Sequence, residues 1–346
     1  MSHDANLSTL NGDAGRERLS VIDMIVRNRE TTLLVVLVLL VTGTSLATPY
    51  FLNLQNLRDL LLNVAITALL TAGMTIVMLM RHIDLSVGST VGLTAYLIGM
   101  LFIALPGIPI PVAIAAGIAF GMCCGLINGL LVTFGGVPSL VATLSTLYIF
   151  RGIDYALVHG GQINATSLPD AFSRIATGTV AGIPILVLIA AVVLIAFAVY
   201  LKYFRTGREF YAIGSNPEAA ILAGIPVSRR VTAGFVLSGA IAGLAGVLWL
   251  ARFGTVDAST AKGIELGVVA SALVGSVAIT GGVGSIGGAA LGALLLGVIN
   301  MALVVLRVSP FWEQAIQGAL IVAAIAADTL LARSVLSRMM RKHRDG

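Results

Sequence analysis

Long apolar runs, separated by short clusters of glycine, proline and charge, dominate the chain from about residue 31 onward. Several runs reach the roughly 20 apolar residues that an α-helix needs to cross the hydrocarbon core of a bilayer. The punctuation predicts spans near 31–48, 60–80, 84–104, 111–134, 139–158, 183–201, 231–251, 264–280, 285–306 and 310–331. The expected architecture is an all-α membrane protein of about ten transmembrane helices. The glycine-rich stretch 263–300 leaves room for a broken or re-entrant helix, which lipid tolerates only where protein covers the open backbone. Thr31 to Leu46 follows basic residues and runs into Ser45-Leu46-Ala47, which loosely resembles a cleavage site. Signal peptides have a short basic start and a shorter apolar core, so this stretch reads as an uncleaved first span.

Composition removes the soluble alternatives. Of 346 residues, 58% are apolar and only 11% charged, against roughly 25% charged in soluble domains, and the mean hydropathy is +1.00. The net charge of +5 does not point to nucleic acid, because the basic residues are spread among the connections instead of forming one patch. They carry orientation instead. Fifteen of the 21 lysines and arginines fall on the side that holds both termini, five on the opposite side, and Arg151 inside a span. Short cytoplasmic connections collect positive charge, so both termini are cytoplasmic. Residues 1–30 then form a cytoplasmic tail, 31–331 the membrane domain, and 332–346 a basic cytoplasmic tail.

Two connections are long: 159–182 outside, polar in composition, and 202–230 inside, with five basic residues. These are the surfaces on which partners would dock. In the inner one, Asn216 suits a helix N-cap, Pro217 the first helical position, Glu218 the positive helix end and Gly224 the stop. The result is a short, small-residue helix outside the bilayer, suited to the groove of another protein or to rest on lipid headgroups.

Polar residues within spans are few. Asp84 and Ser86 stand beside Arg81 and His82, and two readings remain: a cap on the third span, or a part in gating or the solute pathway. Arg151 and Asp154, three apart on one helix, are close enough to pair, either as a structural pair or as a polar patch at the outer mouth. Asn63, Asn128, Asn300 and Gln317 are isolated amides expected to bond neighbouring helices. Cys123 and Cys124 are adjacent in an apolar run and read as packing residues. The four histidines, His3, His82, His159 and His343, make no metal or acid-base constellation, so neither catalytic residues, nor a metal site, nor a cofactor is expected. Gly282 to Gly287 fits G-x-G-x-x-G but lacks the strand-helix context of a dinucleotide site, and reads as close helix packing. Phe134 to Leu140 and Thr280 to Ile286 are weakly similar turns, each with a serine placed to cap the helix that follows.

Glu218-Ala219-Ala220 with Gly224 four residues further on resembles the E-A-A-x-x-x-G loop of ABC importer permeases. The run Gly207 to Gly224, the segment Ile83 to Ser89, and Val141 to Leu144 with Tyr148 and Arg151-Gly152 are similar to the ribose-type branch, and most similar to permeases for rhamnose and autoinducer-2. The resemblance spans roughly 28–331; the Ile-x-Leu-Pro tail of the wider pattern is absent after Gly224. It implies a bacterial inner-membrane permease subunit that moves a sugar-like solute without chemistry of its own. Its implied partners are a cytoplasmic ATP-binding subunit pair, a second permease in a homo- or heterodimer, and a periplasmic solute-binding protein. Asn216, Glu218, Ala219, Ala220 and Gly224 would form the ATPase-coupling helix. The alternative, an ion-coupled secondary transporter, would place acids at the membrane middle, where Asp154 is the main candidate and already has an arginine beside it.

Overall fold

The computed structural model describes residues 29–309 and 311–326. The expected tails, apart from Arg29 and Glu30, and the last residues of the tenth span lie outside the described residues. Among the described residues, eight helices are long and apolar enough to cross a membrane. They are α1 (Arg29–Ala47), α2 (Leu54–Leu79), α3 (Val87–Ala104), α4 (Ile110–Thr133), α5 (Ser139–Val158), α7 (Ile185–Tyr203), α10 (Val227–Phe253) and α12 (Ile286–Val305). Shorter helices among the described residues are α6 (Asp170–Thr177), on the side expected to be outside, α8 (Arg205–Ser215) and α9 (Pro217–Leu222), on the side expected to be inside, and the apolar α11 (Ile264–Val274) and α13 (Phe311–Ala326).

The eighth expected span, 264–280, is where hydropathy and structure differ. Its helix α11 has 11 residues, about 16 Å at 1.5 Å per residue, too short for a core of about 30 Å. The chain then leaves helical geometry, with Ser276, Gly281, Gly282 and Gly284 at positive φ. On its other side the connection 254–263 dips along α3. The Thr260 carbonyl lies against Gly92 and the Ala261 carbonyl against Gly88, about 10 and 16 Å along α3 from Gly99, which packs on Ile163 of the outer connection. The anticipated broken segment is thus a re-entrant loop followed by a half-length helix.

Helix α10 is the hub, packing on α2, α3 and α4. Its contact with α4 is close because glycines face each other: a Cβ on Gly121 would run into the Gly239 carbonyl, and one on Gly243 into the Gly117 carbonyl. With no hydrophobic drive between helices in lipid, this backbone approach supplies the packing. The outer connection is a packed cap. Phe172 of α6 is fully buried and stacks 4.8 Å from Phe102, strands β1 (Thr179–Val180) and β2 (Ile183–Pro184) form a hairpin, and Ile163 bridges to Val256.

Of the serines expected to cap helices, Ser285 does so, accepting from the Gly288 N–H at 2.9 Å. Ser139 and Ser86 do not. Gly121→Leu should therefore lower stability by at least about 1–3 kcal/mol, whereas Gly43→Ala, where a Cβ meets nothing within 4 Å, should be nearly neutral. Thermal unfolding in detergent checks this, and equal melting of the two variants would contradict the packing.

Candidate coupling surface and buried polar site

Helix α9 is built by its own sequence. Asn216, extended at φ −155°, accepts from the Ala219 N–H at 3.0 Å, and Pro217 fills the first position, where no N–H partner is needed. At the other end the Ile225 N–H bonds the Ala220 carbonyl at 3.0 Å across Gly224 at φ +76°, a conformation that glycine adopts without a Cβ penalty. Of the side chains, Ala220 faces inward at 3% exposure while Ile221 and Leu222 stand out at 62% and 89%. Glu218 and Ala219 are exposed beside them.

The neighbouring helix α8 holds this elbow to the membrane domain. Phe210 and Ile213 are buried, and Gly214 lies flat on the Leu79 carbonyl and the Gly282 N–H. Arg81, itself in the left-handed region at φ 69°, donates from Nε to the Gly214 carbonyl at 2.6 Å and from Nη2 to the Ser215 carbonyl at 2.9 Å. A cation thus closes the free carbonyls at the C-terminus of α8. Glu209 accepts from Arg205 Nε at 2.9 Å and from Arg230 Nε, tying α8 to the first turn of α10. Burial alone would raise the Glu209 carboxyl, but the hydrogen bonds and charges of Arg230 and Arg205 outweigh it and hold it below the usual carboxylate range. Its contribution is therefore present at neutral pH and is lost as the pH falls through that lowered value.

Three residues beyond Arg81 the chain enters a buried polar cluster. Asp84, 2% exposed, accepts at Oδ1 from the Ser86 N–H (3.0 Å) and hydroxyl (2.6 Å). Ser86 accepts in turn from Asn128 Nδ2 of α4 at 2.7 Å, and Asn128 Oδ1 from Thr146 of α5 at 2.6 Å. Longer bonds of 3.4 Å reach Asp84 from Asn128 and from Ser238 of α10. Ser238 lies eleven residues into α10, about 16 Å from its cytoplasmic start, so the cluster sits within the bundle rather than at its inner rim. Ser86 occupies the N-cap position of α3 but its side chain makes no capping bond. The cluster joins three helices at a break in the chain.

Arg151 and Asp154 face inward too. Their ion pair is 3.4 Å long, and Arg151 Nη1 also donates to the Ala258 and Thr260 carbonyls at 3.1 and 2.7 Å. The pair thereby satisfies open backbone of the re-entrant loop, which lipid demands. A different face of α5 is exposed: Ser145, Tyr148, Gly152 and Tyr155, with Tyr148 at the helix midpoint 70% exposed.

The structure brings Asp84 and Ser86 together, and separately Arg151 and Asp154; Asn216, Glu218, Ala219, Ala220 and Gly224, the residues expected to couple to an ATPase, form one elbow. Asn128 bonds a neighbouring helix as its sequence position led one to expect; sequence reasoning missed the roles of Arg81, Glu209, Thr146 and Ser238. Arg81 carried a signal, since a lone arginine just past a helix end suits free carbonyls. Among the described residues no group of His, Cys, Asp and Glu is arranged to hold a metal ion.

The family described as branched-chain amino acid transport system, permease component, matches residues 56–325, and the chain belongs to it. Autoinducer 2 import system permease protein LsrC of Escherichia coli (strain K12 / DH10B) is 34% identical over 324 residues, 94% of this chain and 93% of the relative. The protein of the same name from Photorhabdus luminescens is 33% identical over 308 residues, 89% and 92% of the two chains. Ribose import permease protein RbsC of Escherichia coli (strain K12) is 33% identical over 299 residues, 85% and 92% of the two. No solved structure matches the chain. The protein is thus the multi-pass permease subunit of an ABC importer of the bacterial inner membrane, a transport subunit and not an enzyme. Such a subunit works with an ATPase and a periplasmic binding protein.

Asn128→Leu keeps the volume of the site close but leaves Ser86 and Thr146 without their buried partner, at a cost of about 1–3 kcal/mol. Chemical denaturation in detergent should register that loss, and a variant as stable as the parent would contradict the network.

Proposed function

We propose that the chain moves a sugar-like solute, autoinducer-2, ribose or rhamnose in kind, through a pore formed with a second permease, driven by ATPase subunits that dock on α9. The exposed Ile221 and Leu222 of a helix fixed at both ends are the observation that carries this reading. A rigid, apolar turn projecting into water suits a groove in another protein. Asn216 and Gly224 shape it; Glu218, Ala219 and Leu222 make the contact surface.

Closure of the ATPases would push α9, and with it α8, against the inner ends of α2 and α10. Arg81 and the Glu209–Arg230 pair are the joints through which that push arrives. Asp84 and Ser86, just beyond the joint, would act as the gate, because their bonds to α4, α5 and α10 must rearrange if those helices separate. Arg151 and Asp154 would set the outer mouth by holding the re-entrant loop.

The second permease would cover α5. A tyrosine hydroxyl at the midpoint of a span finds no partner among lipid tails, so Tyr148, with Ser145 and Tyr155 above and below it, is better explained by a water-filled seam between two permeases. The relatives named for autoinducer 2 and ribose import support a hydroxyl-rich solute, which such side chains can meet with hydrogen bonds.

Glu218→Lys and Gly224→Trp should each abolish uptake of labelled ribose, rhamnose or autoinducer-2, whichever the parent complex carries, while the protein still reaches the membrane. The first inverts the charge of the contact surface; the second forces a side chain to φ +76°, at about 1–2 kcal/mol, and reshapes the elbow. Uptake in the parent should persist when ion gradients are collapsed and require the ATPase. Parental rates in both variants, or transport without the ATPase, would refute this function.

A further inference from the structure

Polar side chains scattered over separate spans share one cavity. Asp59 and Asn63 of α2, Asn300 of α12, Glu313 and Gln317 of α13, and Arg252 of α10 line a space of about 420 Å³ between α2, α10, α11, α12 and α13. That volume falls within the range of small-molecule sites. Asn63 lies nine residues in from Leu54, about 14 Å from the outer end of α2, so the cavity reaches from the outer face well into the membrane domain.

Two groups in it lack partners. Asn63 is exposed, yet its carboxamide makes no hydrogen bond among the described residues. Arg252, whose guanidinium lies 4.8 Å from the Phe253 ring centre, has a buried Nη1 with no hydrogen-bond partner, while its Nη2 makes only a long 3.4 Å bond to the Asp59 carbonyl. The exposed Asn63 carboxamide at this depth cannot be left facing hydrocarbon, and the unpaired Arg252 Nη1 at the outer end of α10 belongs to the same lining. The Glu313 carboxylate, by contrast, is already engaged by Gln317 Nε2 at 3.1 Å. What remains open is therefore a set of amide and guanidinium donors with amide acceptors, not an isolated carboxylate. Trp249 and Phe253, with ring centroids 4.7 Å apart, give the cavity an apolar wall.

We propose that this cavity is an outward-facing subsite for a neutral, polyhydroxylated small molecule, held within one permease chain and separate from the α5 seam. Hydroxyl groups both donate and accept, so a polyol satisfies Asn63 and Arg252 together, while its C–H face packs on the aromatic wall. The proposal rests on the sugar-import reading and gives it a binding site.

The test uses the assembled importer in proteoliposomes, with Asn63→Cys in a chain that also carries Cys123→Ala and Cys124→Ala. A charged, membrane-impermeant thiol reagent added from the outer side should modify the new cysteine. Saturating D-ribose should slow that modification about threefold or more, and L-leucine should not. Asn63→Leu should raise the half-saturating D-ribose concentration for uptake about two- to tenfold, the loss expected of one hydrogen bond. Absence of modification, no protection by D-ribose, or equal protection by L-leucine would overturn the proposal. If the parent chain carries out ATP-driven sugar uptake while D-ribose gives no protection, the cavity assignment fails and the import function stands; if it imports L-leucine in place of sugars, the import reading itself fails.

Discussion

Two hydrogen bonds from Arg81 to the end of α8 are the constraint on which the rest of this permease depends. A transmembrane helix that ends inside a bundle leaves open carbonyls that lipid cannot satisfy. Here the chain uses one such ending, after Leu79, to fasten a cytoplasmic helix. The arginine sits in a left-handed conformation that costs a non-glycine residue on the order of 1–2 kcal/mol. It holds that conformation because Gly214, Gly281 and Gly282 let three backbones meet at the same point. The cytoplasmic elbow and the break in the membrane domain are therefore one mechanical body, with the Asp84 cluster only three residues away.

The same economy of backbone governs the outer half. A loop that re-enters the bundle between residues 254 and 263 has carbonyls to satisfy, and Arg151 satisfies two of them while Asp154 balances its charge. Charge buried in a membrane domain is expensive unless paired. In this protein the paired charges sit where the chain departs from helix, and the amides gather at the outer cavity and the inner cluster. Irregular backbone and buried polarity coincide.

How much of this was legible in the sequence depends on how local each feature is. The long spans emerged within several residues of their ends because hydropathy is a property of the run itself. The α9 elbow was fully legible, since Asn216, Pro217 and Gly224 act on their immediate neighbours. Hydropathy could not separate a half-length α11 from a full span, because both are equally apolar; only the turn at Gly275 to Gly284 and its packing on Leu79 decide the length. Nor could it show that Asp84 meets Asn128 and Ser238, partners 44 and 154 residues distant, or that Asn63, Asn300 and Gln317 line one space. The outer connection read as a polar loop because its anchors, Ile163, Leu168, Phe172 and Ala176, are single apolar residues scattered through a polar stretch. The face that α5 presents was hidden for a related reason: Tyr148 and Arg151 are near each other in sequence, and only tertiary contact tells which turns inward.

The most direct test of the central coupling is Arg81→Ala in the complete importer, measuring ATP hydrolysis and solute uptake on the same preparation. Removing the guanidinium while α9 stays intact should leave the ATPases docked and hydrolysing but cut uptake per ATP by about tenfold or more, with Arg81→Lys failing to restore it because one ammonium cannot span both carbonyls. Uptake per ATP equal to that of the parent in the alanine variant would show that force reaches the membrane domain by another route.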